Sequence, residues 1–245
     1  TNKVKFYLFI PLFEAVALGV IEGARSSILL GLVLFISARL STLMFQSPSN
    51  KAKKPYIKIV LMFILVLVLF TFFFVFIQWL RQGMDTLVVD LLIDRIRAYF
   101  FGYLAAFSQW MGSDQDINIF NGLITFAGPF NLSGMMERPL GFYESVYIGN
   151  GVSTNIFTAF RGLVVDFTLP GSIIIAFLIG FIFQNFFQNK SKIKLLNTLP
   201  ISMFYAFTLY SPLISIFHYN SIFFSWLIVL IPLMFRKNES VGYNS

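Results

Sequence analysis

Long apolar runs constrain the fold of this chain more than any other feature of its sequence. The strongest run, residues 57–80, contains one charged residue, Lys58. About 20 helical residues, each advancing about 1.5 Å, cross the roughly 30 Å hydrocarbon core of a bilayer. A chain of 245 residues with 57% hydrophobic and 12% charged residues is also too apolar for a soluble domain. The sequence therefore predicts an all-α polytopic membrane protein.

The apolar runs predict about six transmembrane helices, at residues 4–21, 26–45, 57–80, 167–187, 199–217 and 222–235. They divide the chain into three N-terminal helices with a Lys-rich loop (1–80), an external functional loop (81–166), and three C-terminal helices with a tail (167–245). Within the loop, residues 98–111 are too short to span and predict a short interfacial helix. Residues 112–155 show no sustained period and predict an irregular, functional segment.

The two basic residue types fall on opposite sides of the predicted membrane. All lysines lie on one side, which the positive-inside rule makes cytoplasmic, so both termini are expected inside. The external arginines are Arg25, Arg81, Arg95, Arg97, Arg138 and Arg161. A guanidinium matches phosphate oxygens two at a time and stays charged beside apolar surface. The split indicates an anionic, lipid-adjacent ligand, although pairing with acidic residues of the loop would give the same pattern.

Several classes of site and partner are excluded or made unexpected by the sequence. The absence of cysteine and the presence of one histidine exclude disulfides, thiolate sites and His-based metal clusters, so we expect no metal and no cofactor. The lysines act as topology signals, and no nucleic-acid partner is expected. Because the chain starts with threonine and no signal peptide precedes the first predicted span, we expect a C-terminal portion of a longer protein.

A dense set of motifs lies between residues 95 and 171. It comprises Arg97-Ala-Tyr, Gly102, Ala105-Ala-Phe, Gly122, Thr125-Phe, the run Thr154-Asn-Ile-Phe-Thr-Ala-Phe-Arg161, Asp166-Phe167 and Gly171. These residues resemble the Wzy-type polymerases of bacterial surface polysaccharides, also called oligosaccharide repeat unit or O-antigen polymerases. Their pattern is N-V/I-Y/F-T-x-F/Y-R followed by D-F-G-x-x-G, and Thr168 stands where that pattern has glycine. Arg25-Ser26 also resembles the family.

The resemblance implies a glycosyltransferase on the external face of the bacterial inner membrane. Its donor and acceptor would both be undecaprenyl-pyrophosphate-linked oligosaccharides, not sugar nucleotides. The implied partners are the lipid bilayer, a chain-length regulator and a flippase. Family members usually have about twice as many spans, in agreement with an expected missing N-terminal part.

Such a reaction needs cations for the departing lipid pyrophosphate and a base for the acceptor hydroxyl. The candidate catalytic residues are Arg161 and Arg138 as phosphate clamps and Asp166 as the base. On a continuous helix Arg161 and Asp166 would lie about 140° apart, which disfavours a direct ion pair. The alternative role for Asp166 is a hydrogen bond that holds the loop in place.

A second group of residues is predicted to bind substrate: Arg25, Arg97, Tyr143, Glu144, Asn155 and His218. Tyr143 could stack on a sugar ring, and Glu144 is a second candidate base. His218 lies at the predicted external end of the fifth and sixth spans. Each has a structural alternative, namely a surface charge, an interfacial aromatic side chain or a loop hydrogen bond.

Three other functions stay open at the level of sequence. A flippase of lipid-linked oligosaccharides would also need cations, and it would use charges within the membrane such as Glu14 and Arg39. A ligase that transfers the finished polymer to lipid A or protein would share the donor. A non-catalytic subunit of an assembly complex is the third. The long external loop and the absence of an internal repeat favour the polymerase.

Overall fold

The computed structural model is mostly helical, which confirms the predicted fold class in its coarse form. It describes residues 6–21, 25–45, 83, 89–113, 121–137, 143–149, 151–188 and 194–235, with scattered helical positions between 61 and 80. The helices are α1 (Ile10–Ile21), α2 (Arg25–Phe45), α3 (Val89–Met111), α4 (Ala127–Leu132), α5 (Ala159–Gln188), α6 (Lys194–Tyr210) and α7 (Asn220–Phe235). Two 3-10 helices (Phe6–Phe9 and Ile216–His218) and two strands, β1 (Val146–Gly149) and β2 (Val152–Thr154), complete the described elements.

The first two helices form a hairpin that packs on the C-terminal part of the chain. The bounds of α2 nearly coincide with the predicted span 26–45, whereas α1 begins six residues after the predicted start at residue 4, behind the 3-10 helix Phe6–Phe9. A side chain at Gly31 would collide with Ala15, so glycine is required for this close approach. On the other face of α2, Val33 joins Ala206 and Tyr210 of α6 in one buried cluster.

Among the described residues, one helix, α5, has the length and apolar composition to cross a membrane. Three apolar helical stretches are shorter: Tyr7–Ile21, Ser26–Thr42 and Asn220–Pro232. The structure therefore supports one of the six predicted spans by this measure, and most of the predicted span 57–80 lies outside the described residues. α5 consists of two helical segments joined at Thr168, whose backbone is not helical. The first segment, from Ala159, contains Arg161, and the second begins close to the predicted start at residue 167.

The predicted fifth span, residues 199–217, is too long at its C-terminal end. α6 ends at Tyr210 and is followed by a turn containing Pro212 and by the second 3-10 helix. Proline has no backbone N–H and cannot continue the helical hydrogen-bond ladder. The Ser215 hydroxyl then accepts a 3.3 Å hydrogen bond from Phe217 N and caps the 3-10 helix.

Residues 81–166, predicted to form the external loop, are more regular than predicted. α3 is one helix of 23 residues, which includes the predicted short interfacial helix 98–111 and extends further toward the N-terminus. An antiparallel hairpin of β1 and β2 follows, which the all-α prediction lacked. Gly149 and Gly151 have φ values of 104° and 72° at its tip, a conformation that favours glycine. The hairpin packs on α3 where Gly102 lies under Ile148 and Thr154.

The short helix α4 is held against the start of α7. An added Cβ at Gly128 would lie 2.7 Å from the Phe217 carbonyl oxygen, so the two backbones are in close contact. Asn220 Nδ2 donates a 2.9 Å hydrogen bond to Asn131 Oδ1. The rings of Phe126 and Phe217 lie 5.5 Å apart beside it. α4 therefore packs the predicted external loop against the C-terminal helices.

Candidate functional site

Three aromatic rings surround the guanidinium group of Arg161. Its Cζ atom lies 3.9 Å from the ring centre of Phe157, 4.0 Å from that of Tyr143 and 5.1 Å from that of Trp110. The Tyr143 and Phe157 ring centres are 5.1 Å apart and their planes are 65° apart, so these rings form two adjacent walls of a corner. We call Trp110, Tyr143 and Phe157 the aromatic cage.

Each member of the cage comes from a different segment. Trp110 lies in the last turn of α3, Tyr143 precedes β1, and Phe157 lies between β2 and α5. Trp110 and Phe157 are buried together with Ala106 and Val164 in one apolar cluster. Arg161 is in the first turn of α5, whose first residue, Ala159, donates a 2.8 Å hydrogen bond to Ser211 O. The fold therefore fixes both the cation and the walls around it.

The cage stabilises a positive charge in an apolar setting. The negative face of each aromatic ring attracts a cation within about 6 Å, and a contact of this kind is worth about 0.5–2 kcal/mol. Burial raises the pKa of Tyr143 to about 12, the positive charge of Arg161 opposes that rise, and Asp166 adds to it. Tyr143 therefore stays neutral at physiological pH and contributes a neutral ring.

Four buried polar atoms at and beside the cage have no hydrogen-bond partner in the described part of the chain. They are Trp110 Nε1, Thr125 Oγ1, Thr158 Oγ1 and Arg161 Nε. A protein of this length normally contains a few such atoms, so their position around one cation, and not their number, points to a site. All four can donate, and two of them, the indole and guanidinium nitrogens, can only donate. Oxygen acceptors of a ligand would therefore satisfy these four donors.

Asp166 is fully buried and anchors a turn. Its Oδ1 accepts a 3.1 Å hydrogen bond from Ile124 N, and its Oδ2 accepts a 2.7 Å hydrogen bond from Thr125 N. Both carboxylate oxygens are thus bonded to backbone amides of the 121–126 turn. This geometry favours the loop-holding role over the role of general base, because a base needs access to the substrate hydroxyl.

The turn held by Asp166 packs directly on the N-terminal part of α5. A Cβ atom at Gly162 would lie 3.4 Å from Thr125 Oγ1 and 3.6 Å from the Tyr143 hydroxyl. Gly122, at φ 94°, brings its backbone close to the Phe167 ring. The glycines at 122 and 162 therefore let the turn and the cage approach the same side of α5.

The comparisons with known proteins identify no relative of the chain. No protein-family model, curated protein or solved structure matches the chain.

The other predicted site residues are dispersed. Arg97 is exposed on α3, 13 residues before Trp110, which places it about 20 Å further along the helix axis. Glu144 and Asn155 are exposed near the cage, whereas His218 is buried at the end of the second 3-10 helix. Arg138 and the side chain of Arg25 lie outside the part of the chain that the structure describes.

Two further groups of residues have surroundings that the sequence did not indicate. The Tyr143 ring packs on Arg161, and its predicted role in sugar binding stays a prediction. The side chains of Glu14 and Arg39, named for the flippase alternative, are both exposed. No group of three or more His, Asp or Glu side chains that could hold a metal occurs among the described residues. The candidate site is therefore cationic and centred on Arg161.

Sequence reasoning did not identify Trp110 and Phe157 as site residues. Phe157 lies within the motif that ends at Arg161, so its position in that motif was a usable signal. Trp110 offered none, because it is separated from Arg161 by much of the external region and fits the pattern of an interfacial aromatic residue equally well. Trp110 and Phe157 come together because the end of α3 packs in one buried cluster with Phe157 and with Val164 of α5.

Proposed function

We propose that the protein is a multi-pass inner-membrane enzyme that polymerises undecaprenyl-pyrophosphate-linked oligosaccharide repeat units on the external face. The product would be an O-antigen, a capsule or an exopolysaccharide. Six transmembrane helices, with both termini in the cytoplasm, belong to this proposal. The one observation that carries it is the caged Arg161, a fixed cation whose Nε has no partner among the described residues.

The reaction would use this cation at the leaving group. When the growing chain moves from its lipid carrier to a new unit, negative charge develops on the departing pyrophosphate. A positioned guanidinium stabilises that charge with paired donors, and removing one such group typically lowers a rate about 10²- to 10³-fold. Arg161 lies in the first turn of α5, before the break at Thr168 and the apolar segment that follows it, a position suited to a phosphate at headgroup depth.

Contacts among the motif residues support the same proposal. Thr125 N donates a 2.7 Å hydrogen bond to Asp166, Gly122 lies beside the Phe167 ring, and Gly102 lies against Thr154. Residues quoted for the Wzy-type resemblance are therefore neighbours in space, although they are far apart in the chain.

The test is complementation of a strain that lacks its own copy of the gene with the full-length gene carrying Arg161→Ala. We expect single repeat units to accumulate and the polymer ladder to disappear from gels of cell-surface glycans. Arg161→Lys keeps the charge but loses the paired donors, so we expect it to restore the ladder only in part. Immunoblotting of membranes checks that each variant is present at wild-type level.

Arg39→Ala is the matched control, because Arg39 is an exposed arginine on α2 outside the external region. The polymerase proposal predicts a normal ladder for this variant. A normal ladder with Arg161→Ala would rule out an essential clamp at Arg161. Loss of all external repeat units would favour a flippase, and polymer that remains on its lipid carrier would favour a ligase.

A further inference from the structure

We propose that Trp110, Tyr143 and Phe157 are positioning residues. Their rings hold the Arg161 guanidinium in place, so that its remaining N–H groups can bind a diphosphate. This inference rests on the proposed function, because it concerns the same cation. It assigns the three rings a role in anion binding that differs from sugar stacking.

The geometry restrains the guanidinium on two sides. Tyr143 and Phe157 contact it at nearly equal distances, 4.0 and 3.9 Å from Cζ to the ring centres, and form a corner. An arginine on an open surface must lose its rotational freedom when it binds an anion. Arg161 has lost much of that freedom before the ligand arrives, so the cage should increase affinity without itself contacting the ligand.

The cage also replaces the usual partner of a buried arginine. Arg–carboxylate pairs satisfy the guanidinium donors and neutralise its charge. The nearest acidic residue in the helix, Asp166, is bonded instead to the amides of Ile124 and Thr125. Aromatic rings attract the cation but accept none of its in-plane N–H bonds. Burial lowers the pKa of Arg161, and the charges of Tyr143 and Glu144 oppose that shift. The buried Nε has no hydrogen-bond partner among the described residues, so at least this donor remains for an anionic ligand.

Tyr143 is the position where the inference can be tested with least risk to the fold. It is half-buried and precedes β1, whereas Phe157 is fully buried in the apolar cluster. Tyr143→Phe keeps the ring and removes the hydroxyl, and Tyr143→Leu removes the ring. Tyr147→Leu is the matched control, because Tyr147 is an exposed tyrosine on β1, four residues further along.

The measurement is a titration of the detergent-purified full chain with inorganic pyrophosphate, followed by Trp110 fluorescence. Trp79 and Trp226 are replaced by Phe in all variants, so that Trp110, which lies 5.1 Å from Arg161 Cζ, is the sole indole. We expect Tyr143→Leu to bind about 2- to 30-fold more weakly, the range that corresponds to one lost cation–π contact. Tyr143→Phe and Tyr147→Leu should bind within about twofold of the parent protein.

The outcomes separate this inference from the proposed function. If Arg161→Ala abolishes binding while Tyr143→Leu leaves it unchanged, the positioning role is wrong and the clamp stands. If Arg161→Ala binds pyrophosphate as well as the parent does, both are wrong. Equal weakening by Tyr143→Phe and Tyr143→Leu would assign the effect to the hydroxyl and overturn the role of the ring.

Two further measurements complete the design. Each variant must melt within a few degrees of the parent protein, and Tyr143→Met replaces Tyr143→Leu if the latter does not. A parallel titration with farnesyl diphosphate distinguishes a lipid-borne diphosphate from the free ion. The Tyr143→Leu effect should be the same fold-change for both probes, because the ring contacts the guanidinium and not the ligand. A fold-change confined to one probe would contradict the inference.

Discussion

At the scale of single residues, Thr168 has the least favourable backbone conformation in α5. Its φ of 64° and ψ of 171° interrupt the helix between Asp166 and Pro170. This region of backbone space is occupied almost only by glycine and costs other residues about 1–3 kcal/mol. The Wzy-type pattern has glycine at this position. The local geometry is therefore the one that glycine adopts freely, and the chain maintains it with threonine.

Thr168→Gly is expected to stabilise the protein by about 1 kcal/mol, since the relief of strain exceeds the added flexibility of the unfolded chain. The apparent melting temperature in detergent should rise by about 2–4 °C.

Thr208→Gly provides a control of opposite sign. Thr208 is exposed within α6, and its hydroxyl donates a 2.9 Å hydrogen bond to Phe204 O. Glycine there should lower stability by about 0.3–0.5 kcal/mol, the difference between the helix propensities of threonine and glycine. A fall in melting temperature for both variants would show that Thr168 is not strained.

Arg161 was predicted from the sequence as the leading site residue, which stays a prediction, and its aromatic surroundings were not predicted. Arg161 ends a motif and follows the external loop, and both features are local. The cage depends on contacts between α3, the segment before β1, and Phe157, which lies between β2 and α5. No local sequence pattern encodes these contacts. The helical-spacing argument against a direct Arg161–Asp166 pair agrees with the structure, in which Asp166 bonds the backbone of the 121–126 turn.

At the scale of elements, the contact between α4 and the start of α7 has little tolerance for added volume. Gly128→Ala would place a methyl group 2.7 Å from Phe217 O and 3.0 Å from Asn220 N, both backbone atoms. We expect a loss of about 1–3 kcal/mol, the usual cost of overpacking. The melting temperature in detergent measures it.

Gly180→Ala is the matched control for this contact. Gly180 lies in α5, and an added Cβ there meets nothing within 4 Å. Alanine should raise stability by about 0.5–1 kcal/mol, since it favours the helix. If both substitutions stabilise the protein, the close packing of α4 is not a constraint.

The existence of the described apolar helices was predicted better than their bounds, and the short elements were not predicted. The ends of α1 and α2 follow from the turn between them, where polar and glycine residues interrupt the apolar pattern. The β-hairpin was missed because its strands have four and three residues, too few for an alternating pattern to stand out. Its stability comes from packing on α3, which is a tertiary effect.

At the scale of the whole molecule, the predicted topology can be tested directly because the chain contains no cysteine. Met135 is 71% exposed in the external region, and a cysteine there should react with a membrane-impermeant maleimide added to intact spheroplasts. Ser49→Cys, in the predicted cytoplasmic loop, should react only after the membrane is opened. Labelling of both before opening, or of neither, would contradict the proposed orientation.

The hydrogen bond from Ala159 N to Ser211 O has a consequence for how chains of this type can diverge. It joins the first turn of α5, which carries Arg161, to the turn that follows α6. Under the proposed function, insertions or deletions in the connector before β1 could change the sugar preference while the arginine keeps its position. Recognition of the saccharide and capture of the carrier would then evolve at different rates within one chain.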